Sequence, residues 1–463
     1  MNAEFPDMTQ TAEALTKQAQ ENGSWFSEDH LAASFTGRYE DALRYVATWE
    51  RWLIWNGSTW VNEQTMRAFD LARAVCRQAS AGCDTQALAR AVGSAKTVAA
   101  VERLAKADRR HAATVEQWDA DPWLLNTPAG IVDLRTGAMR PHDRGAYMTK
   151  ITAAAPGGDC PLWEAFLARI TDNDAELQAY LQRFLGYCLT GVTTEHAMAF
   201  GYGTGANGKS VLLTTVTGIM GDYATVAPME TFTASQSDRH PTDMAMLRGA
   251  RLVAAQETEE GRRWAEAKIK SLTGGDPISA RFMRQDFFTF MPQFKLFIAG
   301  NHKPGLRGVD EAMRRRLNLI PFVVTIPPAD RDKRLPEKLK AEWPGILQWM
   351  IDGCLQWQER GLSPPSRVVE ATSNYMEGED ALGGWIKDRC TPIDYGRTES
   401  SDLYRDWRDW AEKAGEHPRS QKWFSQALEA RGYQKAPKAR HATFLGIALD
   451  GAPPYTETPD QRA

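Results

Sequence analysis

The sequence has no long apolar run, no secretion signal and no strong charge of either sign. No stretch approaches the roughly 18 consecutive apolar residues of a membrane-spanning helix, so no membrane association is predicted. The N-terminus lacks the basic start and apolar block of a secretory signal, so we expect a cytoplasmic protein. The formal net charge is only −4. Binding of a polyanion therefore requires local basic patches rather than bulk charge.

The cysteines are few and scattered. The six residues include no C-x-x-C pair, a pattern that indicates neither a disulfide framework nor a zinc ribbon. Incidental or buried thiols are the favoured interpretation. The 463 residues, 43% of them hydrophobic, fit a globular chain of several domains.

Composition and hydrophobic periodicity divide the chain into six segments. They are a flexible tail at 1–24, a mixed α/β accessory domain at 25–158, a helical linker or collar at 159–190, an α/β core at 191–362, a winged-helix-like module at 382–450 and a second flexible tail at 451–463. In the core, apolar strands at 196–202, 251–256, 294–299 and 317–325 alternate with helices. This alternation predicts a mostly parallel sheet with helices on both faces.

The accessory domain contains an aromatic cluster. Residues 49–61 (WERWLIWNGSTWV) place four tryptophans around Asn56-Gly57, which predicts a hairpin whose turn needs positive φ. The tryptophans either fill a small core or stack on bases, and core packing is favoured. Residues 124–135 predict a second small β unit.

A phosphate-binding loop is the strongest motif in the sequence. The run GTGANGKS fits G-x-x-x-x-G-K-[ST] and directly follows an apolar strand. Its residues are Gly203, Thr204, Gly205, Ala206, Asn207, Gly208, Lys209 and Ser210. The backbone amides are expected to surround the phosphates of ATP. Lys209 would neutralise the β and γ oxygens, and Ser210 would ligate Mg²⁺.

Polar residues at the ends of two later strands complete a candidate catalytic site. Glu257 follows the strand at 251–256 and is our general base and metal-side carboxylate, the alternative being a solvated acidic turn. Asn301 follows the next apolar strand, where an amide can hold the attacking water or sense the γ-phosphate. These positions predict ATP hydrolysis rather than binding alone.

Arginines beyond Asn301 suggest an arginine finger. Arg315, with Arg316 as second choice, precedes the strand at 317–325 and is predicted to reach a neighbouring subunit's γ-phosphate. The alternative is a solvated charged face. A GTPase is disfavoured because no guanine-reading N-K-x-D is present, and a small-molecule kinase because no lid or acceptor site is visible.

Two regions are predicted to contact DNA. In residues 270–295 basic side chains alternate with aromatic ones, which suits a loop that follows a single strand. The C-terminal module is locally basic, which favours phosphate contact, although a protein-docking surface is the alternative. The candidate contacts are Arg281, Arg284 and Lys295 in the first region and Lys422, Lys435 and Lys438 in the second.

In this order and spacing, the motifs resemble superfamily 3 helicases, most of all the phage and plasmid primase-helicases that include the poxvirus-type proteins. The runs LLNTPAGIVDLRTGAMRPHD, FLGYCLTG, LTGGDPISARFM and GNHKP carry the resemblance further. It implies an AAA+-like motor, usually a homo-hexameric ring, that hydrolyses ATP with Mg²⁺ between subunits. It also implies movement along single-stranded DNA, typically 3′ to 5′, during phage or plasmid-type replication.

The sequence departs from that family in one respect. Only about 150 residues precede the motor, and they contain no zinc-ribbon cysteines or paired-acid polymerase motif, so we expect no primase activity here and possible recruitment of a separate primase or polymerase. Origin duplex DNA is a second expected ligand. The alternative function is an ATP-switched origin-binding or loading protein that does not unwind processively.

Overall fold

A computed structural model describes most of the chain. The described residues are 25–234, 242–256, 261–283, 286–306, 310–415, 418–436 and 442–450, with side chains at 394–396 also left out. The predicted tails at 1–24 and 451–463 lie outside them, as do Glu257, Arg284 and Lys438.

The helices are α1 Glu28–Tyr39, α2 Arg67–Ala81, α3 Gln86–Val92, α4 Ala95–Ala107, α5 Pro161–Ile170, α6 Ala175–Leu189, α7 Lys209–Met220, α8 Thr242–Ala245, α9 Glu266–Gly274, α10 Glu311–Arg316, α11 Leu335–Ala341, α12 Trp343–Arg360, α13 Ser366–Gly378, α14 Ala381–Arg389, α15 Ser400–Lys413 and α16 Gln421–Ala430. The strands are β1 Leu43–Val46, β2 Arg51–Trp55, β3 Trp60–Asn62, β4 Leu124–Thr127, β5 Gly130–Asp133, β6 Ala138–Arg140, β7 Met198–Tyr202, β8 Ala224–Val226, β9 Leu252–Gln256, β10 Ile278–Ala280, β11 Phe288–Phe290, β12 Lys295–Gly300, β13 Leu317–Pro321, β14 Cys390–Glu399 and β15 Thr443–Leu449.

The N-terminal part contains the predicted tryptophan hairpin. Strands β2 and β3 pair with Trp55 opposite Trp60. The Asn56 side chain accepts hydrogen bonds from the amides of Ser58 at 2.9 Å and Thr59 at 2.8 Å, and Gly57 has a φ of 104°. Trp60 is 1% exposed and lies in a small aromatic core. The core interpretation of this cluster is therefore confirmed.

Helices α5 and α6, which the sequence suggested as a linker or collar, share one hydrophobic core with the central sheet and α12. Two glycines let α6 and α12 approach closely. A Cβ on Gly186 would lie 2.2 Å from the backbone nitrogen of Cys354, and one on Gly353 would lie 2.1 Å from the carbonyl oxygen of Gln182. Strands β4 and β5 contribute to the same core, so these segments support the sheet directly.

The central sheet is parallel and five-stranded, in the order β13-β7-β12-β9-β8. All six residues of its middle strand, β12, are buried, as expected for a parallel strand covered on both faces. The predicted α/β core is thus confirmed. The sequence analysis did not predict the short edge strand β8. Within this order, β7 and β9 flank β12, so the segments that follow these three strands meet at one edge.

The C-terminal module runs α14, β14, α15, α16 and β15 around its own small core. Strands β14 and β15 pair antiparallel, with a register shift between Pro392 and Arg397. An isolated bridge joins Lys435 to Phe444 and adds a third extended segment. This order of helices and strands is that of a winged helix, as the sequence suggested.

In the part of the chain that is described, no helix combines the length and apolar content needed to cross a bilayer. The six cysteines are unpaired. The described residues contain no cluster of three or more His, Cys, Asp or Glu side chains arranged to hold a metal ion.

Candidate functional site

The phosphate loop joins β7 to α7. The strand ends at Tyr202 and the helix begins at Lys209, so the first-turn amides of α7 face the loop, where an anion is favoured. Two glycines are required by geometry. A Cβ on Gly203 would lie 2.2 Å from the carbonyl oxygen of Phe322, and Gly208 combines a φ of 80° with a Cβ position 2.5 Å from a carbon of Ile170. The loop backbone is therefore closely packed at Gly203 and Gly208, and its role in holding phosphates stays a prediction.

Asn207 braces this loop against the chain that follows β13. Its buried side chain donates to the carbonyl oxygens of Phe322 at 3.0 Å and Val324 at 3.2 Å. Its Oδ1 accepts the amide of Gly205 at 2.8 Å. Asn207 was predicted as part of the nucleotide-binding loop, and the structure shows that its side chain shapes the loop internally.

Lys209 is held by neutral oxygen atoms. Its Nζ donates to the carbonyl of Gly203 at 2.9 Å, to Oδ1 of Asn207 at 2.7 Å and to Oδ1 of Asn301 at 3.3 Å. Burial lowers the pKa of Lys209 because the ammonium loses hydration. The three named acceptors carry no formal negative charge. A phosphate beside Lys209 would add a counter-charge to these neutral contacts of the described residues.

The structure brings Asn301 to the same edge as the loop. In the sheet register, Ala299 of β12 lies opposite Gly201 of β7 and Gln256 of β9, so the three strands end level with one another. Asn301 follows β12 directly and contacts Lys209 as described above. Glu257 comes immediately after Gln256 but lies outside the described residues. Its predicted role as base and metal ligand stays a prediction.

Replacing Asn207 with alanine tests the loop brace. We expect the free energy of unfolding to fall by about 2–4 kcal/mol, because two buried carbonyls lose their donor. The KM for ATP should rise as the loop loosens. Thr204→Ala is the matched control, since this exposed hydroxyl contacts only the Thr325 hydroxyl at 3.4 Å among the partners that the structure shows. Denaturant unfolding and ATPase kinetics on both variants measure the effects; equal losses would contradict the bracing role.

The two candidate finger arginines differ in their surroundings. Arg316 donates to the Thr273 hydroxyl at 3.1 Å and to the Ala312 carbonyl at 2.9 Å, so it is held within its own subunit. Arg315 is exposed. It precedes Leu317, which pairs with Met198 at the start of β7. The phosphate loop follows the other end of β7. At about 3.3 Å per residue, the two ends of this strand lie roughly 13 Å apart. Arg315 therefore lies near the end of the sheet opposite its own phosphate loop.

The predicted basic and aromatic loop is a β-hairpin. Strands β10 and β11 pair antiparallel, with Ala280 opposite Phe288. Beyond this pair, Phe287 is 59% exposed and Phe282 is 38% exposed. The Arg281 guanidinium lies 4.8 Å from the ring centre of Phe287. The hairpin thus presents two rings to solvent, with the half-buried Arg281 beside one of them.

The prediction that Lys295 contacts DNA is wrong. This lysine begins the fully buried strand β12 and is 2% exposed. Its Nζ donates to the carbonyl of Thr190, and to those of Val192 and Gln293 at 3.3 Å each. Burial lowers the pKa of Lys295 to about 7. The side chain joins the loop after α6 to the sheet and is inaccessible to a nucleic acid.

In the C-terminal module, two of the three candidate DNA contacts lie among the described residues. Lys422 is exposed on α16. Lys435 is exposed but forms an ion pair with Glu429, which offsets part of its charge. Lys438 lies outside the described residues. The geometry leaves Lys422 as the clearer candidate.

Comparisons with known proteins give family matches in two parts of the chain. A family described as D5 N terminal like matches residues 32–172, and a family of unknown function matches residues 201–316. Two viral proteins named as helicases are similar to the chain. L207/L206 of Acanthamoeba polyphaga mimivirus is 27% identical over 321 residues, and 022R of Frog virus 3 is 25% identical over 311 residues.

These matches cover 63% and 62% of this chain but only 33% and 30% of the two viral proteins. The chain thus spans about a third of the relatives' length. Among solved structures, two of the NrS-1 C-terminal region are 10% identical, with TM-scores of 0.47 and 0.49. They cover 87% and 88% of this chain, and 96% of each of those chains is covered.

The parallel sheet with a phosphate loop at its edge is consistent with a phosphate-loop helicase fold. The N-terminal family match and the helicase-named relatives make the chain similar to D5-like primase-helicases over part of its length.

Proposed function

We propose that the chain is an ATP-dependent DNA helicase motor that acts in phage or plasmid-type replication in the host cytoplasm. One observation carries the proposal: beyond the end of β7, Nζ of Lys209 lies 3.3 Å from Oδ1 of Asn301. A bound phosphate chain would meet loop amides, an ammonium with neutral partners and a polar amide in one place. This combination suits nucleotide hydrolysis better than passive binding.

Each residue at the loop has a distinct task in the proposal. The loop amides and Lys209 hold the β and γ phosphates of ATP. Ser210, in the first turn of α7, and Glu257 are the residues that would hold Mg²⁺, which supplies charge neutralisation on the phosphate oxygens. Asn301 orients the attacking water, and Glu257 accepts its proton.

The active assembly in the proposal is a ring of identical copies, with six as the number that the family resemblance suggests. Arg315 supports this because it is exposed at the sheet end opposite its own phosphate loop. In a head-to-tail ring, that end faces the loop of the next copy. Arg315 would then stabilise the charge on the γ-phosphate of its neighbour.

The DNA path in the proposal runs over the β10–β11 hairpin. Its exposed rings provide stacking surfaces, and Arg281 provides a cation for the backbone of a single strand. Lys422 on α16 is suited to origin duplex DNA, as in other winged helices. The proposal gives the described residues no priming activity, so a separate primase or polymerase is a suitable partner.

An ATP-switched loading protein is the second candidate function. The same phosphate loop would serve it, because a switch also binds ATP. What favours the motor is the exposed aromatic tip of the hairpin, since a loader needs no element that follows a single strand during hydrolysis.

Arg281→Ala separates the two candidates. We expect basal ATP hydrolysis to persist, single-stranded DNA affinity to fall, and the slope of log affinity against log salt to shrink by about 0.7, as for one lost phosphate contact. Unwinding should drop severely. Arg334→Ala is the matched control, because Arg334 is an exposed arginine on the motor that pairs with Glu337. If the Arg281→Ala/Arg284→Ala double variant unwinds at the wild-type rate, the hairpin is not the DNA-tracking element.

A further inference from the structure

One arginine links the hairpin to the N-terminal part of the chain. Arg248 lies between α8 and β9, and its guanidinium sits 5.1 Å from the ring centre of Phe288 in β11. The same guanidinium is 5.8 Å from the ring centre of Trp49, which belongs to the turn between β1 and β2. Arg248 is thus within cation–π range of both the hairpin and the N-terminal module.

The partner on the N-terminal side is firmly anchored. Trp49 lies 6.2 Å from Trp118, and Trp118 contacts Tyr147 edge to face at 5.0 Å. These rings belong to the small aromatic core that also buries Trp60. The Trp49 ring is therefore held in place by a packed aromatic cluster.

Arg248 is not needed to attach the N-terminal module to the motor, because a separate contact does this. Lys150 donates to the carbonyl of Asp222 at 2.9 Å, and the Asp222 side chain accepts the amide of Ile151 at 3.1 Å. The buried Arg251 donates to the carbonyl of Leu124 at 2.8 Å. We therefore look for the role of Arg248 in its contact with the hairpin ring of Phe288.

We propose that Arg248 is a positioning residue that fixes the resting orientation of the β10–β11 hairpin against Trp49 of the N-terminal module. A role of Arg248 in DNA binding rests on the proposed function. The contact that joins the hairpin to Trp49 through Arg248, here called the mechanical link, does not. A planar guanidinium suits this task because it stacks on ring faces while its edge stays hydrated. Arg248 is exposed, so the link can open without disrupting a core.

Because Arg248 holds the hairpin in one orientation before DNA binds, less conformational entropy is lost on binding. We therefore expect the link to strengthen DNA binding. Arg248→Ala should weaken single-stranded DNA affinity by about fivefold while basal ATP hydrolysis is unchanged, the size expected for two exposed cation–π contacts. Trp49→Leu, which changes no charge, should have the same effect. The double variant should be no worse than either single one, because both break the same link.

The first measurement needs no DNA. Hydrogen exchange of the β10 and β11 amides should be about five times faster in Arg248→Ala and in Trp49→Leu than in the wild-type protein. Arg135→Ala is the matched control, since that guanidinium lies over Trp123 and not over a hairpin ring. Unchanged exchange in both variants would overturn the link, whatever the DNA assays show.

The second measurement is single-stranded DNA affinity as a function of salt. A positioning role predicts weaker binding with an unchanged salt slope, and only partial rescue by Arg248→Lys, because an ammonium cannot lie flat on two rings. A slope reduced by about 0.7, with full rescue by lysine and no effect of Trp49→Leu, would mean direct phosphate contact and would overturn the proposal.

Arg281→Ala in the same series separates this proposal from the proposed function. If Arg281→Ala leaves DNA affinity intact while Arg248→Ala still speeds hairpin exchange, the helicase assignment of the hairpin fails and the mechanical link stands. If Arg281→Ala weakens binding but exchange in Arg248→Ala is normal, the link fails and the hairpin assignment stands.

Discussion

Lys209→Ala is expected to lower ATP turnover by at least about 10²–10³-fold, because the ammonium that offsets the β and γ phosphate charge is then lost. The environment of the ammonium supports this size of effect. Its partners are a carbonyl of Gly203 and the side-chain amides of Asn207 and Asn301, and none of them can replace a cation. Steady-state phosphate release measures the loss.

Lys338→Ala is the control for this experiment. Lys338 is an exposed lysine on the motor that pairs with Asp332 at 2.6 Å, so the variant removes the same charge without removing a contact of the Lys209 side chain. Its turnover should match that of the wild-type protein, since surface substitutions of this kind change stability by about 0.5 kcal/mol or less. Near-normal turnover in Lys209→Ala would contradict the nucleotide-site assignment.

Arg315→Ala is expected to reduce ATP turnover by about 10³-fold, the lower end of the range for an arginine finger. The lost turnover should be partly restored when two inactive variants form mixed rings. Mixing Arg315→Ala protein with Lys209→Ala protein should restore part of the activity, because some interfaces then combine an intact loop with an intact arginine. Phosphate release is measured across mixing ratios.

Arg314→Ala is the matched control, because Arg314 is the adjacent exposed arginine on α10 and pairs with Glu311 at 3.9 Å. It should keep most of the turnover. If mixed rings form, as judged by co-purification of differently tagged copies, and no ratio recovers activity, Arg315 does not act across an interface. Activity in a mixture of Arg314→Ala and Lys209→Ala proteins would not indicate action across an interface, since Arg314→Ala should be active by itself.

The strand, loop and helix of the candidate nucleotide site were predictable because their signals are local. The pattern from Gly203 to Ser210 follows an apolar strand and opens a helix, and the structure begins α7 at Lys209. Asn301 was found in the same way, at the end of an apolar strand. Parallel strands bring such ends to one edge, so topology alone placed Asn301 near the loop.

Long-range contacts were not predictable in this way. Lys295 stands beside basic and aromatic residues in the sequence, yet its ammonium is enclosed by carbonyls from Thr190 and Val192, more than 100 residues earlier. No local pattern reports such an enclosure. The only sequence signal was its position at the start of a wholly apolar run, which indicates a central buried strand.

The bracing by Asn207 and the link through Arg248 depend on segments far apart in the chain. Asn207 reaches carbonyls 115 and 117 residues later. Arg248 lies between rings from the N-terminal module and the hairpin. The short strand β8 was missed for a different reason, since three residues at a sheet edge are too few to show a period.

The most direct test of the account is strand displacement. Duplexes with a 3′ or a 5′ single-stranded tail are incubated with the wild-type protein, with and without ATP and Mg²⁺, beside Lys209→Ala. We expect displacement that requires ATP, one tail and Lys209, and the resemblance to superfamily 3 helicases favours the 3′ tail. ATP hydrolysis stimulated by DNA but without displacement of either substrate would contradict the motor and favour the ATP-switched loader.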